Sequence, residues 1–220
     1  MIDVGAHAGQ FSKIFSHRAS EGMVLALEPA SYPFSILQIV KSLHRLANVK
    51  AIKMGISVKQ GEAHLRTPVK PNGVVRFGLS HISNDEPVGE EQAFIEETIS
   101  VTTIDKLVSQ FARDHKLSLI KADIEGYEYQ MLCGAEQTIE KNKPAVLMEL
   151  SVNKTEILDF FYHRDYLVYT LDNYSGKSSD ALRLSLKERE SEISARNILA
   201  VHESEKNKLA LINENFCCKN

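Results

Sequence analysis

Met1-Ile2-Asp3-Val4-Gly5-Ala6-His7-Ala8-Gly9 opens the chain, and the reading of this stretch decides the fold. Ile2-Asp3-Val4 reads as the end of a strand and residues 5–9 as a tight loop, with Phe11, Ile14 and Phe15 recurring at helical spacing behind it. A glycine-rich loop between a first strand and a first helix is where several α/β folds hold a nucleotide-like ligand. Working outward, residues 23–27 form a short apolar run, as a buried parallel strand requires. Glu28-Pro29 ends it, since proline cannot donate to a ladder. Ser31 with Pro33 signals a helix start, Phe34, Leu37, Val40 and Leu43 give it one apolar stripe, and residues 49–56 read as a third strand. Strand, helix, strand, helix, strand implies parallel strands joined by crossovers.

The rhythm then breaks. Residues 57–97 read as a β-hairpin and loop insertion, and its 68–91 stretch is rich in Pro, Gly, Ser and acids. A connection that long inside a domain is usually functional. Residues 98–104 alternate like a strand with one wet face, and Ile104, Leu107, Val108 and Phe111 mark a helix. Alternation resumes with a strand at 117–122, the turn Asp123-Ile124-Glu125-Gly126, and a helical stripe of Tyr127, Met131, Leu132, Ala135 and Ile139. A strand at 145–150, a helix around Ile157–Phe161 and strands at 166–171 and 198–201 complete the pattern. The expected architecture is α/β: a doubly wound, mostly parallel, Rossmann-like sheet of seven strands with helices on both faces and an insertion after the third strand. One domain is expected over residues 1–202, followed by a polar tail at 203–220 in which Leu209, Leu211 and Ile212 suggest a frayed helix.

Composition agrees. The 220 residues are 43% hydrophobic and 25% charged, near the globular average, which disfavours wholesale disorder and coiled coil. Three cysteines, two of them adjacent at Cys217-Cys218, make no disulfide framework, so a reducing, cytoplasmic setting is expected. No signal peptide or membrane span is visible. A net charge of −3 argues against nucleic acid as a partner, because phosphate neutralisation needs a basic face.

The first loop narrows the ligand. His7 stands where a dinucleotide fingerprint wants its second glycine, and no Lys-Ser/Thr follows Gly9 as in a P-loop. Asp3 places a carboxylate at the strand end, which repels phosphates and suits a cationic ligand. S-adenosylmethionine (SAM), with its sulfonium and ammonium and no phosphate, fits. Glu28, ending the second strand, suits ribose hydroxyls in SAM and NAD alike. A tight turn with no ligand remains an alternative for Gly5 and Gly9. The second constellation is Lys121-Ala122-Asp123-Ile124-Glu125-Gly126-Tyr127-Glu128. Its loop follows the fourth strand of the parallel series and neighbours the first loop at the switch point. Asp123, Glu125 and Glu128 could do acid/base work or hold Mg2+. The ordinary preference of helix N-termini for acids accounts best for Glu128 and least for Asp123. Lys121 reads as a salt-bridge partner pointing away from Asp123.

These blocks resemble the FkbM family of SAM-dependent methyltransferases. The resemblance runs from about residue 2 to 150. It is carried by Asp3-Val4-Gly5-Ala6-His7-Ala8-Gly9, Glu28-Pro29, Thr103-Ile104-Asp105, the 120–128 block, Leu132-Cys133-Gly134-Ala135-Glu136, Pro144 and Glu149. It implies a class I methyltransferase fold, SAM as cofactor, and O-methylation of a hydroxyl on a sugar, glycan or small natural product. Position by position, it implies that Asp3, Gly5, His7 and Gly9 form the cofactor loop, that Glu28 holds the ribose, and that Asp123 lies between cofactor and acceptor. The family commonly has Asn where His7 stands. The base candidates are Asp123, Glu125 and His81, with His163 read as structural. No metal site is assigned, and the oligomeric state is not legible. Two alternatives stay open: an NAD-type oxidoreductase and a non-catalytic SAM-binding relative. Because so little strand precedes the first loop, Met1 is expected to be a truncated or misassigned start.

Overall fold

The computed structural model describes residues 1–83, 93–150, 152–172, 183–187 and 196–207. Five parallel strands form the centre: β1 (Ile2–Val4), β2 (Val24–Leu27), β3 (Val49–Ile52), β8 (Leu119–Ala122) and β9 (Ala145–Glu149). Beyond β9, β12 (Asn197–His202) runs antiparallel and β10 (Tyr166–Asp172) returns to the common direction. The order β3-β2-β1-β8-β9-β12-β10 supplies the seven expected strands, and β11 (Arg183–Lys187) adds an antiparallel eighth at the edge.

The helices are α1 (Gln10–Arg18), α2 (Ser31–Leu43), α3 (Ile104–Phe111), α4 (Glu128–Cys133), α5 (Glu136–Asn142) and α6 (Lys154–Tyr162). Strand β2 shows why they lie on both faces. All four of its residues are buried, and they alternate between two cores. Val24 and Ala26 pack with Phe15 of α1 and Leu37 of α2. Leu25 and Leu27 pack in the larger core with residues of α3, α4, α5 and α6. Of the predicted α2 stripe, Leu37 is buried while Leu43, in the last turn, is exposed.

Three elements depart from expectation. Residues 49–56 break at a turn closed by Met54 N–H donating to the Ile52 carbonyl, and β4 (Gly55–Ile56) joins a different sheet. The insertion is that second sheet, with order β4-β7-β5-β6, where β5 is Gly61–Val69, β6 His81–Ser83 and β7 Ala93–Thr102. Long pairing of β5 with β7, and a small core of Leu65, Ile99, Val101 and Ala30, give it more structure than a hairpin and loop. The single helical stripe after Tyr127 is two helices. Gly134 ends α4, its carbonyl accepts the Asp105 N–H, and the Asp105 carboxylate accepts the N–H groups of Gln137 and Thr138 at the start of α5. The predicted frayed helix of the tail and Cys217-Cys218 lie outside the described residues. Among the described residues, no helix is long and apolar enough to cross a membrane.

Candidate cofactor and active site

Chain order runs β1 to β2 to β3 in one direction and resumes at β8 on the other side of β1. The carboxyl ends of β1 and β8 therefore flank the switch point, where open α/β sheets bind ligands. The two loops there touch. A Cβ on Gly5, whose φ is +70°, would lie 2.0 Å from the Asp123 carbonyl oxygen, so only glycine fits. Gly9, at φ +84°, caps α1, and a Cβ there would meet a Leu37 methyl at 2.6 Å. His7 also has positive φ, +48°. Asn, Asp and His are the non-glycine side chains most often found in this region, so His7 suits the turn.

A cleft of about 210 Å³ opens over these loops. Gly5, His7, Gln10, Glu28, Asp123, Glu125 and Tyr127 line its floor and sides; Met54, Leu65, Phe77, Ser80 and Ile82 come from the third strand's end and the insertion. Phe77 stacks on Tyr32 at the start of α2, centroids 4.9 Å apart. Glu97 of β7 accepts the Ser31 N–H at 3.0 Å, tying the insertion to the same helix end. A larger groove of about 760 Å³ lies at the amino ends of the strands, between α3 and α5. We place the site in the smaller cleft, because loop-borne ligand groups gather at the carboxyl ends.

Glu28 is 6% exposed. Its two oxygens accept the N–H groups of His7 (2.8 Å) and Ala30 (2.9 Å), so the side chain fixes the first loop and the start of α2 together. Burial raises its pKa, against the pull of those two donors. Asp3 is fully buried and does not line the cleft. One of its oxygens accepts from Ser12 Oγ at 2.6 Å, and the other faces Lys121 Nζ at 3.4 Å without an aligned hydrogen bond. Burial raises the Asp3 pKa, with Lys121 the main opposing influence. Lys121 does not point away from Asp123. Residues two apart on a strand share a face, and its ammonium sits 3.7 Å from an Asp123 oxygen and donates to the Gly5 carbonyl at 3.0 Å.

The acidic group at the mouth is Asp123, Glu125 and Glu149, one oxygen of each lying within 4.8 Å of the others. Glu128, the third member expected from spacing, is instead buried in the first turn of α4. Glu149 was visible in the sequence only as part of the resemblance. The register that sets Ala122 beside Met148 carries it next to Asp123. Glu125 sits at φ +41°, and burial, then Glu149 and Asp123, raise its pKa. Glu149 is paired with Arg196, so one of its oxygens already has a cation, and the group carries no assignment of Mg2+. His81 is not in the cleft wall, although Ser80 and Ile82 are; its ring meets Phe94 edge-on. His163 caps α6 and engages the Asp159 carbonyl, as a structural residue would.

Sheet order, switch-point cleft and acidic strand ends define a class I methyltransferase fold. The Methyltransferase FkbM domain profile matches residues 3–176, and the chain belongs to that family. A protein named Methyltransferase 1 from Beauveria bassiana (strain ARSEF 2860) is 24% identical over 147 residues, covering 62% of this chain and 58% of its own. The crystal structure of Methyltransferase FkbM from Methylobacillus flagellatus KT superposes with a TM-score of 0.56 at 18% identity, covering 92% of this chain and 43% of that one. An rRNA methylase from Streptococcus thermophilus gives 0.47 at 10% identity, with 90% and 82% covered, a likeness too low to carry an argument. The chain thus spans 58% of the curated relative and less than half of the FkbM structure. Nothing in these comparisons supports the oxidoreductase alternative.

Proposed function

We propose that this chain binds SAM in the switch-point cleft and transfers its methyl group to a hydroxyl of a small-molecule or carbohydrate acceptor, within one domain over residues 1–202. The observation that carries the reading is the cleft itself: a glycine loop, a ribose-ready carboxylate at Glu28 and an acidic mouth, in a chain of this family. Each Glu28 oxygen accepts one N–H and keeps a lone pair for a ribose hydroxyl. The turn at Gly5 and His7 would receive the amino-acid end, and Asp123, half-exposed, stands between it and the mouth. Three carboxylates favour a sulfonium over a phosphate.

When bound, the cofactor supplies an electrophilic methyl. The new bond is carbon to acceptor oxygen, the bond broken is carbon to sulfur, and the hydroxyl proton needs a base. Asp123 and Glu125 are the members of the acidic group that line the cleft. The raised pKa of Glu125 makes it the stronger base once ionised. Alignment and exclusion of water do the rest, with Phe77 and Ile82 as an apolar wall. The expectation against nucleic acid rests on net charge alone, so RNA belongs among the acceptors tried.

Calorimetry with S-adenosylhomocysteine (SAH), SAM and NADH tests the cofactor. SAH and SAM binding supports the reading, and NADH binding without them overturns it. Labelled SAM with sugar, phenol and RNA acceptors then reads turnover. Binding without turnover on any acceptor class favours the non-catalytic alternative.

A further inference from the structure

Lys121 is a buried lysine facing three oxygen-bearing partners, Asp3 in β1 and one residue on each of two loops. Its side chain is 7% exposed. It donates to the Gly5 carbonyl at 3.0 Å, faces Asp3 at 3.4 Å and Asp123 at 3.7 Å, and lies 5.2 Å from the centre of the Phe11 ring. Ser12 of α1 holds the far side of Asp3. One chain of contacts thus runs from α1 through β1 and β8 into both ligand loops. Neutralising Asp3 would not require this geometry. An ammonium has three donors and can serve Asp3 and a second acceptor together; here its shortest contact is to the Gly5 carbonyl, in the turn that must receive the ligand.

We propose that Lys121 is a positioning residue: it fixes the Gly5 carbonyl and the Asp123 carboxylate relative to each other, and so sets the shape of the cofactor site. The proposal rests on the SAM reading for its ligand arm only. The rival account is that Lys121 merely offsets a buried charge. Removing both members of a buried pair is far milder than removing one, so the double variant D3N/K121M separates the two accounts.

Four proteins are compared: wild type, K121M, D3N/K121M and K121R. They are read by thermal unfolding, SAH calorimetry, and hydrogen exchange of the amides at 5–9 and 123–126 without ligand. K121M should lose both stability and SAH affinity. The double variant should recover the melting temperature yet bind SAH about tenfold more weakly or worse, as loss of a charge-assisted hydrogen bond predicts, and its two loops should exchange faster than wild type. K121R keeps the charge opposite Asp3 but replaces the compact donor by a planar head. It guards against a double variant that does not fold, and it too should bind SAH more weakly. Wild-type affinity and exchange in the double variant, or in K121R should the double not fold, overturn the proposal. If wild type itself fails to bind SAH, the cofactor reading falls, and the exchange of the two loops alone decides the role of Lys121.

Discussion

Replacing Gly5 by alanine isolates the contact on which the whole cleft depends. The backbone there is left-handed, φ +70°, and the added Cβ would stand 2.0 Å from the Asp123 carbonyl oxygen. Left-handed backbone costs a non-glycine residue about 1–2 kcal/mol, and forcing an extra carbon into a packed site adds about 1–3 kcal/mol. The sum is centred at about 3.5 kcal/mol, which for a chain of this length lowers the melting temperature by about 7–14 °C. Gly9→Ala is the internal control. Its φ is also left-handed, but its Cβ would meet a side-chain methyl, that of the buried Leu37 at 2.6 Å, and not backbone. It should therefore cost the backbone term of about 1–2 kcal/mol and a smaller packing term than Gly5→Ala. Differential scanning calorimetry reads both, and SAH titration reads the site. Gly5→Ala should also weaken SAH binding, because relief requires the two loops to part. If both variants melt together, or Gly5→Ala melts like wild type, the loops are not held by this approach and the reasoning fails.

Glu28→Gln keeps one carbonyl oxygen for one of the N–H groups of His7 and Ala30 and turns an amide donor toward the other. It should weaken SAH binding by about tenfold or more by calorimetry, the loss expected for charge-assisted hydrogen bonds. The same variant has a pH signature. Burial raises the Glu28 pKa, so protonation stabilises the folded state. The contribution of Glu28 is most favourable below the ordinary carboxylate pKa of about 4.3 and is lost as pH rises through the raised value. The urea-unfolding difference, wild type minus Glu28→Gln, should therefore shrink with rising pH; a rising difference refutes the assignment. Glu149→Gln removes one of the charges that hold the Glu125 pKa up, so Glu125 should ionise at lower pH by carboxyl NMR titration, and an unchanged curve would count against the acidic mouth. His81→Ala removes no cleft-lining group and should alter turnover far less than Asp123→Ala in a labelled-SAM assay.

Local chemistry made part of this site legible in the chain. The 5–9 loop, the Glu28-Pro29 end of β2 and the Asp123-Ile124-Glu125-Gly126 turn each lie within a few residues of sequence, and each falls at a strand's carboxyl end in the cleft. Register is what the sequence could not supply. Glu149 reaches Asp123 because β9 lies beside β8 with Ala122 opposite Met148, and nothing in residues 123–128 announces a partner more than twenty positions on. The same holds for Lys121, which meets Asp3 because those two residues are opposed across β1 and β8. The break at Gly134 was hidden for a related reason: apolar periodicity continues through it, while the capping of α5 comes from Asp105.

Asp3 shows how burial moves an electrostatic argument from one residue to others. A carboxylate at the end of the first strand suits a cationic ligand only if its field reaches the cleft. Here the carboxylate is fully buried, bonded to Ser12 and set against the Lys121 ammonium. Its charge is answered within the protein before any ligand arrives. The bias against phosphate must then come from groups open to the cleft. Asp123 and Glu125 line it, and Glu149 lies within 4.8 Å of both. Lys121, already set against Asp3, also lies 3.7 Å from Asp123, and Glu149 pairs with Arg196, so with Asp3 counted four carboxylates meet two cations and the mouth keeps a net negative charge when all are ionised. That excess favours a sulfonium, and it bears on the acceptor too: an anionic group would have to approach against it. A neutral hydroxyl, the acceptor proposed above, would meet no such opposition.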